Sequence, residues 1–322
     1  MDRYTKLPEK SQDDTGEKES VGNDAFGWGS ETAILWKKFT PPSRPSEAEV
    51  SWYTEMIKKY IQKPLNELNV LILGSTTEFR RLFFDLEASV VVCDRSKDYY
   101  ETITEVDRLT GAQDKEELDE SYWHKINYST EFDVIISDLA VGNVAPDDLE
   151  EFIEKMKKAL KPGGIFCGKS LFYLENVNVD KLCADYNKGG EKQEDPYGFF
   201  MYGLSIESRR TDNSIDFKKI QDRINELYNA EKIDTKAYEI LNEKGYSKDL
   251  SINFYAYPHD IFKKKMENKG LEQREFFKIP SIYSEYFPVW VYQKDKAEET
   301  EVATKVKYVK LLCRIITDPS IS

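Results

Sequence analysis

The hydrophobic pattern is sharpest between Asn69 and Ser96. Val70-Leu71-Ile72-Leu73 is an unbroken apolar run ending at Gly74. Such a run is the mark of a short strand buried on both faces of a parallel sheet. Thr76-Thr77-Glu78 then offers a helix start, with a hydroxyl cap and an acid in the first turn. From Glu78 to Glu87, Phe79, Leu82, Phe83 and Leu86 share one stripe, while Arg80, Arg81 and Asp85 lie off it. Ser89-Val90-Val91-Val92-Cys93 is a second buried strand, and Asp94 ends it. Strand, glycine turn, helix, strand and acid compose one right-handed crossover, the nucleotide-binding half of a doubly wound sheet.

The pattern extends in both directions. Ser46 and Glu49 make a capping box for a helix carrying Val50, Tyr53, Met56, Ile57, Tyr60 and Ile61, stopped by Pro64. Trp28, Trp36 and Tyr53 read as packing residues, with a place over a ligand as the alternative. After Asp94, a helix from Lys97 to Leu109 turns Tyr100, Ile103 and Val106 inward, and the charged stretch 111–120 reads as exposed. A third strand is placed at Tyr122 to Asn127. Phe132-Asp133-Val134-Ile135-Ile136-Ser137 is a strong strand ending at Asp138-Leu139. A helix with Leu149, Phe152, Ile153, Met156 and Leu160 on one face leads to Lys161-Pro162-Gly163-Gly164 and the strand Ile165 to Gly168. Beyond Ser170 the alternation is interrupted for about 80 residues, more than a plain loop holds. Leu171 to Asn178 and Gly198 to Gly203 read as extended. Ile215 to Leu227 and the segment after Asp234 read as amphipathic helices whose stripes need cover, over the sheet's ligand edge or elsewhere. A helix at Ile261 to Asn268 and two strands, Gln273 to Lys278 and Phe287 to Gln293, follow.

Composition narrows the class. Of 322 residues, 40% are hydrophobic, enough for a full core. No apolar run approaches the ~20 residues of a membrane span, and the N-terminal stretch has no apolar signal segment. Residues 1–24 are polar and read as a disordered tail. Cys93, Cys167, Cys183 and Cys313 are widely spaced with no CxxC, as expected of reduced thiols in a cytoplasmic protein. With two histidines, a histidine-rich metal site is not expected. The net charge of −13 argues against nucleic acid, whose binding draws on lysine and arginine at phosphates.

Candidate chemistry gathers at the strand ends. Gly74 lets the backbone approach a ligand closely, and Asp94 is placed to accept bonds from two ribose hydroxyls. A single glycine suits a nucleoside better than a dinucleotide, and a plain Rossmann-like domain whose acid caps a strand is the alternative. VLILG, VVVCDRS, FDVIISD and ALKPGGIF, in this order and separation, resemble a class I S-adenosylmethionine-dependent methyltransferase, with LGSTTEFR similar to a subset having LGxTPE-like first loops. The resemblance covers about 69–170 and resumes near Tyr257. It implies that Leu73, Gly74 and Ser75 line the methionine and ribose side of S-adenosyl-L-methionine, that Asp94 binds the ribose, and that Arg95 flanks the adenine. Relatives carry an adenine-binding acid after the third strand, and the corresponding zone here, Tyr122-Trp123-His124, has none, so Trp123 is the candidate from that zone. Asp138 and Leu139 would face the transferred methyl group. Asp138 is the first candidate for a base, ahead of His259 and Tyr128.

The expected fold is therefore α/β: a doubly wound, mostly parallel seven-stranded sheet with a closing antiparallel strand and a helical insertion after the fifth strand. The expected division is a methyltransferase domain at 25–170 and 254–295, an insertion or cap at 171–253, and an extension at 296–322. The expected function is methyl transfer to a small-molecule acceptor. Asp138-Leu139-Ala140-Val141 lacks the Asn/Asp-Pro-Pro-Tyr arrangement of enzymes that methylate bases. A non-catalytic binding or scaffold protein of the same fold is the main rival, and an RNA methyltransferase a lesser one.

Overall fold

A computed structural model describes residues 30–296, apart from 110, 112–114, 175–176, 191–192, 244–252 and 282–286. The expected tail at 1–24, Trp28, Cys313 and the extension beyond Lys296 lie outside the described residues, as does Gly245, expected from the sequence to close the helix after Asp234. Strands β1 (Asn69–Leu73), β2 (Ser89–Cys93), β3 (Glu116–Asp119), β4 (Phe132–Asp138), β5 (Leu160–Lys169), β8 (Leu271–Phe277) and β9 (Val289–Lys294) form one seven-stranded sheet in the order β3-β2-β1-β4-β5-β9-β8. The first five are parallel, and β9 runs antiparallel to both β5 and β8. Short strands β6 (Phe172–Tyr173) and β7 (Tyr257–Pro258) pair separately.

The unbroken apolar runs follow from a sheet covered on both faces. Leu71, Leu73, Val91, Ile135 and Phe166 point to one core, and Val70, Ile72, Val90, Val134 and Ile165 to the other. Alternate positions of a strand face opposite ways, so both registers must be apolar. Helices α2 (Glu47–Tyr60) and α3 (Thr77–Asp85) cover the second face, and α5 (Leu149–Ala159) and α10 (His259–Asn268) the first. Between α2 and the chain start lies α1 (Ser30–Leu35), and α4 (Lys97–Val106) follows β2. Strand β1 passes directly between β2 and β4, so the order reverses there and a crevice opens at the strand tips.

The capping box at α2 forms as the sequence predicts. The Ser46 hydroxyl accepts from the Glu49 amide at 3.2 Å, and Glu49 Oε2 accepts from the Ser46 amide at 2.6 Å. Ser46→Ala is expected to cost about 1 kcal/mol, read as a lower urea midpoint at constant slope. No change would mean that packing alone starts this helix.

Four local expectations are corrected. The third strand is Glu116–Asp119, not 122–127, where residues Trp123–Lys125 form a single 3-10 turn. As an edge strand, β3 tolerates charge, and its Glu116 is drawn inward by Arg80. The Arg80 side chain, expected off the buried stripe, is fully buried with Glu116, donates to Thr104 at 2.7 Å and lies 4.2 Å from the Tyr100 ring. The Gly198 to Gly203 stretch is helical, within α7 (Pro196–Glu207), because Asp195 caps the Gly198 amide at 3.1 Å and Pro196 takes the first turn. Thr76 precedes α3 without making a side-chain cap, and the Thr77 hydroxyl instead meets Asp107.

Helices α6 (Val179–Tyr186), α7, α8 (Phe217–Asn229) and α9 (Thr235–Glu243) have their own core, including Tyr186, Phe200, Ile220, Ile224 and Leu241. No helix among the described residues is long and apolar enough to cross a membrane.

Candidate functional site

The strand tips open into a cavity of about 410 Å³. All eight residues singled out from the sequence line it: Leu73, Gly74, Ser75, Asp94, Arg95, Trp123, Asp138 and Leu139. Gly74 takes φ +85°, and a side-chain carbon there would lie 3.7 Å from the Trp123 ring. The positive φ rather than the space selects glycine. The Gly74 amide and the Trp123 indole both donate to the Cys93 carbonyl, at 2.9 and 2.8 Å, which joins the β1 and β2 tips to the aromatic wall.

Asp94 is 6% exposed and turned to the cavity. One carboxylate oxygen accepts from the Ser75 hydroxyl at 2.7 Å and the other from the Ser96 amide at 3.1 Å, the latter an Asx turn that fixes the side chain. Burial pushes its carboxyl above the usual range, and these two donors and Arg95 oppose the rise. The Arg95 guanidinium lies 5.9 Å from the Tyr122 ring at the rim.

Asp138 ends β4 in register with Lys169 at the end of β5. Lys169 Nζ is buried between Asp138 Oδ1 and Glu49 Oε1, each at 3.2 Å, and donates to the Arg44 carbonyl at 3.4 Å. The three side chains are 0–2% exposed. Burial pushes the Asp138 carboxyl up to about 7. Lys169 holds it down, and Glu49, a second carboxylate sharing the same ammonium, adds to the rise. Tyr53, reached by both carboxylates' fields, is raised mainly by burial. Leu139 follows at φ 58°, a conformation that costs a branched side chain about 1 kcal/mol or more and is held by its amide's bond to the Lys169 carbonyl at 2.9 Å.

The alternative bases lie elsewhere. His259 is absent from the cavity wall and packs with its ring tilted 4.0 Å from Phe276 and edge-on 5.2 Å from Phe172, and burial holds its imidazole below the usual range. Tyr128 packs edge-on against Phe132 at 5.0 Å, and burial and the Asp119 carboxylate raise its hydroxyl. That Asp119 ends β3, so an acid does stand at the strand end once β3 is correctly placed. It bonds Tyr128 and does not line the cavity. Trp36 lines the cavity and donates to Thr77 at 3.1 Å, whereas Tyr53 is core.

Sequence reasoning missed Lys169, Glu49, Asn143 and the wall supplied by α7 and Phe254. The signal for Lys169 was present: a lysine ending an apolar strand beside Asp138 must be paired. From α7, Tyr197, Met201 and Ser205 reach the cavity, and the Tyr197 and Ser43 hydroxyls share a hydrogen bond of 2.7 Å.

The cofactor expected from the sequence fits these residues. A buried carboxylate turned to the cavity for vicinal hydroxyls, a close-approach glycine and an indole wall meet in one cleft of ligand size.

No protein-family model matches the chain, and no curated protein matches it in sequence. Solved structures do match in shape. The CcbJ methyltransferase from Streptomyces caelestis superimposes with a TM-score of 0.51 at 13% identity, over 84% of this chain and 99% of that one. An S-adenosylmethionine-dependent methyltransferase from Mesorhizobium loti gives 0.45 at 13% identity, over 76% and 98%. The chain thus has a methyltransferase-like α/β fold, a seven-stranded, mostly parallel sheet with flanking helices.

Proposed function

We propose that this protein transfers a methyl group from S-adenosyl-L-methionine to a small-molecule acceptor. The observation that carries the reading is the meeting of Asp94, Gly74, Trp123 and Asp138 around one cavity at the strand-order reversal. When bound, S-adenosylmethionine supplies a methyl group on a positively charged sulfur, activated for displacement by a nucleophile. Asp94 would hold the ribose hydroxyls, Arg95 and Trp123 the adenine side, and Leu73, Gly74 and Ser75 the chain beyond the sugar. Asp138 lines the same cavity and is the candidate to take a proton from the acceptor, a role suited to a carboxylate poised near neutrality. Helices α6 to α9 act as a cap, with α7 as its inner wall, excluding water and leaving room for a small acceptor rather than a nucleic-acid strand.

Calorimetry of the full chain with S-adenosylhomocysteine tests the reading. Saturable one-to-one binding at micromolar Kd is expected. The absence of heat at millimolar ligand would reject both the enzyme and a regulated binder of the same nucleoside.

A further inference from the structure

The cavity changes character away from Asp94. On the β4 side, Tyr197, Phe217, Phe254 and Tyr255 bring aromatic rings to the wall from three separate stretches. The Tyr255 amide donates to the Gly142 carbonyl at 2.7 Å, and the Phe254 ring occupies the space a side chain at Gly142 would need, 2.4 Å from a built Cβ. The absence of a side chain at 142 is what lets this ring lie against the loop after β4.

The charged groups on that side are acceptors. Asp138 and Asp148 both line it, and among the described lining residues the only lysine or arginine is Arg95, at the β2 tip. Asn143, also in the wall, donates its amide nitrogen to the Leu139 carbonyl at 3.3 Å, which fixes its orientation and leaves a buried Oδ1 with no partner. A buried acceptor without a donor is costly, so this oxygen calls for an N–H or O–H from a ligand. An anion placed here would meet the Asp148 carboxylate and Asp138, whose one ammonium neighbour, Lys169, lies behind the wall and is already shared with Glu49.

We propose that the acceptor is a small molecule joining an aromatic ring to an amine, its ring held by Phe254, Phe217 and Tyr255 and its N–H groups by Asn143 Oδ1 and the Asp138 and Asp148 carboxylates. This rests on the methyl-transfer reading and specifies its substrate class. Aromatic walls favour a flat ring and stabilise a nearby ammonium through their π faces.

The test uses the full chain saturated with S-adenosylhomocysteine, titrated calorimetrically with 2-phenylethylamine, phenylacetate and n-butylamine. Saturable binding of phenylethylamine is expected, more than about tenfold tighter than either of the others. Asp148→Asn should narrow the preference for amine over acid, and Phe254→Ala the preference for the aromatic amine over butylamine, with S-adenosylhomocysteine affinity unchanged in both. Equal or tighter binding of phenylacetate overturns the proposal, as does a lack of saturable binding by all three while S-adenosylhomocysteine still binds. Failure of S-adenosylhomocysteine itself to bind removes the methyl-transfer reading first, and this proposal with it.

Discussion

Lys169→Met is expected to destabilise the protein by about 3–5 kcal/mol at pH 8. The methionine replaces the stem of the lysine but not its charge. Two carboxylates, Asp138 and Glu49, are then left facing each other in a site that is 0–2% exposed. Their mutual repulsion and desolvation were offset by one ammonium 3.2 Å from each. The loss should shrink as pH falls. In the wild type, burial already raises the Asp138 carboxyl from its ordinary value near 3.8 to about 7. A raised carboxyl binds more protons when folded, so its contribution to stability is full below about pH 4 and lost as pH rises through about 7. Without Lys169 that carboxyl rises further, which steepens the loss on the alkaline side. Urea unfolding at pH 5.5 and pH 8 should therefore show a larger deficit at pH 8. A deficit under about 1 kcal/mol, or one equal at both pH values, would show that the cluster is not ionised as drawn.

Asp94→Ala should weaken S-adenosylhomocysteine by about 1.5–3 kcal/mol, roughly 10- to 150-fold in Kd. On the proposed reading the lost bonds would be charge-assisted, from two ribose hydroxyls to a carboxylate whose position is set by Ser75 and the Ser96 amide. Asp94→Asn retains an acceptor in the same turn and should lose less. The ordering wild type, Asn, Ala separates direct contact from a mere collapse of the loop, which would make the two variants alike. Unchanged affinity in both would place the sugar elsewhere.

The sheet was legible because its strands are buried twice over, so Val70 to Leu73 and Val90 to Cys93 carry no polar residue to obscure them. The same physics hid α7. A helix surrounded by apolar neighbours has no polar stripe, and Gly198-Phe199-Phe200-Met201-Tyr202-Gly203 shows no period. Strand β3 failed for the opposite reason, since Glu116, Glu117 and Asp119 at a sheet edge look like a loop. Seven of the eight cavity residues were readable because they lie at the tips of β1, β2 and β4, where the strand-end rule assigns positions from local sequence, whereas Trp123 was reached through a misplaced third strand. Asn143 and Phe254 were not, because their meeting depends on a glycine at 142 and a segment far along the chain.

Ten of the twelve residues of α7 are buried, on every side of the helix. A gate built from it would have to wet all of that greasy surface at each turnover, an expense that grows with every square ångström exposed. Traffic should instead pass the rim, where Arg95 and Tyr122 already meet water and Tyr122 is 46% exposed. On the proposed reading the nucleoside would then enter and leave at the rim, while the inner wall stays shut.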